Sequence, residues 1–228
     1  MKPTIEQLHN LPNFELKDSF HIDEMGKFLM RELGMNPPSA PPAKPKISGK
    51  SLLFFALFTG IGAVVGWSIG KLVPKSDGGF GNVALQFGLA FVCFFVVLLP
   101  IHEAIHGLVF KLLGAQKVGF GWSRKSLIVY AYAQKFVMTL RENAWVAAMP
   151  FLVITSALAV LWVLFPQWPL FWGTALFFHT SACIGDFILI LYYFKNKKYP
   201  MYTYDDIEDK NYSYFFREKT LSEADPTS

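Results

Sequence analysis

Charge is what this 228-residue chain has little of: 17% of its residues are Asp, Glu, Lys or Arg, against 53% apolar ones. Soluble domains carry about 25% charged residues, so a water-soluble globule fits poorly and a small polytopic membrane protein fits well. The net charge of +4 is modest, and no basic stripe is interleaved with aromatics, which argues against a nucleic-acid partner. Cysteine is nearly absent. Cys93 and Cys183 both fall inside apolar runs, where a thiol behaves as a small hydrophobe, and two such residues make no disulfide framework. The opening MKPTIEQLHNLPNFELKDSF has no positive stretch leading into an apolar run. A cleavable signal peptide is therefore not expected, and the first span acts as its own insertion signal. No internal repeat is visible.

Apolar and aromatic residues are what the chain has in quantity, 23 phenylalanines among them. They gather into four segments long enough for the ~20 residues that cross a bilayer. The first, 51–70, carries Gly62, Gly66 and Gly70 at four-residue spacing, a pattern for close helix packing. The second, 83–113, is too long for one straight span, and Pro100 predicts a kink or restart just before residue 102. The third is 144–164, with Asn143 as its N-cap, and the fourth is 170–194, after PQWP. Between the second and third, KVGFGW, SRKS and LIVYAYA read as strand, turn and strand over 117–133. The expected fold is mainly α: four transmembrane helices with a short β-hairpin between helices 2 and 3.

Polar flanks surround this 51–195 membrane domain. Within residues 1–50, the stretch 20–34 puts Phe20, Met25, Phe28, Leu29 and Leu33 on one helical side. Such an amphipathic helix either lies on a membrane surface or covers the rest of the protein. NPPSAPPAKPK at 36–46 is an extended linker. Residues 196–228 mix acids with tyrosines and read as a partly disordered tail. Lysine and arginine cluster before the first span, between the second and third, and after the fourth. With four spans these clusters share one side, which predicts a multi-pass cell-membrane protein with both termini cytoplasmic.

The second span contains LLPIHEAIHGLVF at 98–110. His102 and His106 stand four residues apart, so on a helix both imidazoles reach one ion. Glu103 projects from the same turn and can take a proton from a metal-activated water, which makes HExxH a metal-assisted hydrolysis pattern. Apart from Lys111 at the exit of the second, the acidic, basic and histidine residues within the four spans are His102, Glu103, His106, His179 and Asp186. Each charged group placed there costs about 2.5–3.5 kcal/mol on insertion scales, and a central cation offsets that cost. Asp186 is the expected third ligand. It lies nine residues before Lys195, as His102 lies nine before Lys111, so both sit about 13 Å above the same membrane face. Gly185 beside it permits close helix approach. His179, two turns before Asp186, is expected about 10 Å higher on a straight helix, suited to a substrate contact or an outer role. Glu142 is the reserve ligand.

These residues resemble gluzincin-style intramembrane proteases. More specifically, they are similar to a family of short bacterial membrane proteins described as "putative zincin peptidase", over roughly residues 85–195. The likeness rests on H-E-x-x-H-G at 102–107 and G-D at 185–186. It implies His102, His106 and Asp186 as ligands and Glu103 as general base. Site-2 proteases likewise carry HExxH in one membrane helix and a ligand aspartate in another. This chain differs in lacking an N-P-D-G or L-D-G context around Asp186 and any PDZ-like insertion. In those proteases an extended substrate pairs with a strand near the site, a role open to the 117–133 hairpin.

The combined expectation is an intramembrane zinc metalloprotease with one Zn²⁺ per chain, acting on protein or peptide substrates at or in the lipid bilayer. Two rivals remain. A non-catalytic zincin-like scaffold has no need of Glu103, and a metal or proton transporter uses the same residue types without an evident repeat here.

Overall fold

The computed structural model describes residues 2–35, 79–123 and 128–219. The expected first span at 51–70, the proline-rich linker at 36–46 and all but Ser123 of the expected SRKS turn at 123–126 lie outside the described residues. Among the described residues, two helices are long and apolar enough to cross a membrane, Asn82–Leu112 and Leu140–Leu164. A third crossing exists if the bent pair Pro169–Ala182 and Ile184–Asn196 counts as one span. Four spans are thus an expectation that the described residues do not establish.

The chain begins with α1 (Ile5–Asn10), β1 (Phe14–His21) and α2 (Met25–Glu32). The long apolar helix follows as α3 (Gly79–Cys93), a π-helical turn (Phe94–Leu98) and α4 (Leu99–Leu112). Pro100, expected to kink or restart the helix, sits in the first turn of α4 directly after that π turn. The wider turn, closed by Leu99 N–H to the Phe94 carbonyl, accommodates a residue that lacks its own N–H. A hairpin of β2 (Val118–Ser123) and β3 (Ile128–Ala133) comes next, antiparallel and in the expected place. Gly107 lets it dock: a Cβ there would stand 3.0 Å from the Phe120 ring.

After the two-residue β4 (Met138–Thr139) comes α5 (Leu140–Leu164). Its N-cap is Thr139, four residues before the expected Asn143. The Thr139 hydroxyl accepts from Glu142 N–H, and Glu142 returns the bond to Thr139 N–H, a capping box the apolar boundary alone did not reveal. The expected fourth helix is broken. α6 (Pro169–Ala182) and α7 (Ile184–Asn196) meet at Cys183 with a 47° bend. Ala90, Phe94 and Leu98 pack against Ile154 and Leu158 of α5 and Ala175 of α6, forming the upper helical core. Phe87, Phe91, Val92, Leu152, Val160 and Val163 remain exposed on its outside, an apolar surface suited to lipid.

The stretch read as a partly disordered tail instead forms β5 (Met201–Asp206) and β6 (Tyr212–Glu218). These join β1 and β4 in an antiparallel sheet of order β1-β6-β5-β4. N-terminal and C-terminal segments therefore share one side of the helices. Phe20, read as part of an amphipathic helix, belongs to β1, and only Met25–Glu32 is α-helical. That helix covers the protein: Phe28 joins Phe20, Leu140, Tyr192, Met201 and Phe215 in one core. Strand alternation sends Tyr204 and Phe216 to the other sheet face, against Leu8 of α1.

Candidate metal centre and catalytic site

α4 supplies His102, Glu103 and His106, all buried. The helical spacing brings the two imidazole edges together, with His102 Nε2 and His106 Nε2 3.1 Å apart. Asp186, in the first turn of α7, meets them. Its Oδ2 lies 3.1 Å from His102 Nε2 and its Oδ1 3.4 Å from His106 Nε2. Despite that proximity, Asp186 Oδ2 is buried without a hydrogen bond, as is Glu103 Oε2.

His106, which faces the other oxygen, Oδ1, is held from behind. Its Nδ1 faces the Val146 carbonyl at 3.0 Å and must donate to it, which leaves Nε2 as a bare lone pair. Sequence reasoning missed the reason this carbonyl is free. Pro150 lies inside α5, four residues on, and has no N–H to offer the Val146 oxygen. A proline in an apolar helix was the available signal. With the His106 imidazole neutral, that lone pair and the carboxylate of Asp186 converge as two acceptors. A cation resolves that conflict. Donors ~2.0–2.1 Å from one tetrahedral ion lie about 3.3 Å from each other, close to the three spacings found. His102, His106 and Asp186 therefore fit a divalent metal.

His179 stands nearer than a straight helix would allow. Expected about 10 Å above Asp186 on one straight helix, it lies on the far side of the bend at Cys183 with its ring centroid 5.6 Å from that of His102, beside the centre. It donates to the Pro150 carbonyl, and its Nε2 lies 3.8 Å from Cys183 Sγ. The same sulfur lies 3.9 Å from His102 Nδ1. Cys183 and His179 thus back His102 much as Val146 backs His106, and the three form a second group with metal-ligating atoms. Cys183, read from sequence as a small hydrophobe, had no local signal. Glu142, the reserve ligand, does not join the centre: its carboxylate is taken by the α5 cap and Lys2. Gly185 is not needed for helix approach, since a Cβ there would meet only Leu29, at 3.9 Å.

Glu103 accepts a hydrogen bond from the Ala131 backbone N–H of β3, which orients one oxygen and leaves Oε2 unpaired. A cavity of about 350 Å³ reaches from His102, Glu103, His106 and Asp186 past β3 to the inner face of the four-stranded sheet. Its walls are mostly apolar, with Phe20, Phe28, Leu29, Ile207 and Phe215 among them. The arrangement offers ligands, a carboxylate base and an adjoining chamber. No curated protein and no solved structure matches the chain. Residues 95–200, which hold all of these metal-facing side chains, match the model of a family described as "Putative zincin peptidase".

Proposed function

We propose that the protein is a zinc metallopeptidase embedded in the cell membrane, cleaving peptide bonds of membrane-associated substrates. The observation that carries the reading is the meeting of His102 Nε2, His106 Nε2 and Asp186 beside an unpaired Glu103 oxygen. One zinc ion per chain would be held by His102, His106 and Asp186, supplying Lewis acidity that lowers the pKa of water toward ~7. Glu103 takes the proton of the attacking water and delivers it to the leaving amine. The Ala131 N–H holds that carboxylate in place while its free oxygen does the transfer. β3 pairs with β2 along one edge, and its Ile128–Tyr132 stretch lines the cavity, so an extended substrate can add to its other edge.

The bilayer is the natural partner of the exposed apolar helix faces. Pairing of β1 with β6 supports a common side for both terminal segments, and the lysine and arginine distribution favours the cytoplasm as that side. Water and substrate enter from that side, through the cavity beneath the sheet. A second reading, metal transport, is favoured by the adjoining His102–His179–Cys183 group, which offers an ion a neighbouring station. Glu103→Gln separates the two. In purified chain reconstituted in lipid, the peptidase keeps its zinc and stops cleaving, whereas a transporter keeps moving metal and wild type cleaves nothing.

A further inference from the structure

The inner face of the sheet departs from its own pattern. Strand alternation puts Met201, Thr203 and Asp205 of β5 on one face, with Ser213 and Phe215 of β6. Met201 and Phe215 are core residues, but Thr203, Asp205 and Ser213 line the cavity that holds the metal centre. Polar residues at core-facing positions are costly unless they serve a function. Asp205 is the sharpest case. Its carboxylate accepts one hydrogen bond, 2.6 Å from Ser213 Oγ, and no cation pairs with it among the described residues. Lys135, close in the fold, is committed to Asp206 and Asp209. Burial pushes the Asp205 carboxyl up to about 6, as expected of an acid facing an apolar chamber without a counter-ion.

The position relative to the chemistry follows from β3. Ala131 N–H bonds Glu103, and Gln134, three residues on, bridges Asp205. Three extended residues span about 10 Å. The cavity that Glu103 and Asp205 both line is walled largely by aromatic and aliphatic side chains, Phe20, Phe28, Ile207 and Phe215 among them. A carboxylate beyond an apolar passage suits a guest with a long hydrocarbon stem and a positive head.

We infer that Asp205, held by Ser213, is the specificity residue of the site and binds the basic side chain of a lysine or arginine next to the scissile bond. This rests on the peptidase reading for its biological meaning, but the binding itself does not require turnover.

The test uses the full chain in phospholipid nanodiscs and three amino-acid methylamides. Nα-acetyl-lysine methylamide is expected to bind at least about tenfold more tightly than its norleucine counterpart, with Asp205→Asn erasing the difference. Unblocked alanine methylamide, which offers only an α-amino group, is expected to bind weakly. Equal binding of the lysine and norleucine probes to wild type overturns the inference, and needs no variant. So does a difference that survives in Asp205→Asn, an absence of saturable lysine-probe binding, or tighter binding of the alanine probe. A peptide library digested by wild type should show basic residues at one position of the cut sites. No cleavage by wild type alongside selective lysine-probe binding would sink the peptidase reading and leave the subsite standing.

Discussion

The two regions that build the metal centre do so by opposite means. α4 brings His102 and His106 together through its own four-residue spacing, and any regular helix with this sequence would do the same. The α6–α7 pair contributes through an irregularity. The 47° bend at Cys183 starts a new helix at Ile184, placing Asp186 in its first turn and folding His179 back toward His102. Local geometry supplies the histidines, whereas tertiary geometry decides whether they meet an acid. α5 joins the second kind, since Pro150 matters for the hydrogen bond it cannot make.

If both regions hold one ion, they should fail alike. His102→Ala, His106→Ala and Asp186→Ala are each expected to abolish stoichiometric zinc, measured by mass spectrometric metal analysis of purified chain. Retention of a full equivalent in Asp186→Ala would make the bent region dispensable and break the comparison. Next in size, Glu103→Gln should lower peptide cleavage by about 10²–10⁴-fold with the zinc content unchanged, read in parallel assays on one preparation. Loss of zinc in that variant would turn Glu103 into a ligand.

Pro150→Ala sharpens the contrast further. It returns an N–H to the Val146 carbonyl, which then competes with His106 Nδ1. Zinc affinity should fall about 10–100-fold, as for other partners that orient a ligating histidine, while thermal stability holds or rises. An unchanged affinity would show that His106 is oriented by its packing alone.

The smallest effect lies in the sheet. The folded-state carboxyl of Asp205 sits at about 6, above its ordinary 3.8, so the fold binds the extra proton between those values. Its contribution to stability is therefore present at low pH and lost as pH rises from about 4 to about 6. Asp205→Asn should remove that part of the slope in pH-dependent denaturation, and an identical slope would place the carboxyl in ordinary solvent.

Much of this was legible from sequence because it depended on residue type and short spacing. HExxH needs only a helix, the hairpin announced itself in LIVYAYA, and Asp186 stood out as an acid within an apolar run. The sheet was harder to see. MYTYDD and YSYFFRE alternate as strands do, but their tyrosines and acids resemble a solvated tail until Leu8, Phe28 and β1 arrive from more than 170 residues away. Phe20 was misplaced for the same reason, because its partners Phe28 and Phe215 define a sheet core that no helical period describes. The roles of Cys183, His179 and Val146 depend on a bend and a missing N–H, so only the assembled helices display them.

The most direct measurement is zinc K-edge X-ray absorption on the wild-type chain in lipid. Nitrogen and oxygen neighbours at ~2.0–2.1 Å with no sulfur shell are expected if His102, His106 and Asp186 hold the ion. A sulfur neighbour near ~2.3 Å would put it with Cys183 instead, and contradict the proposed centre.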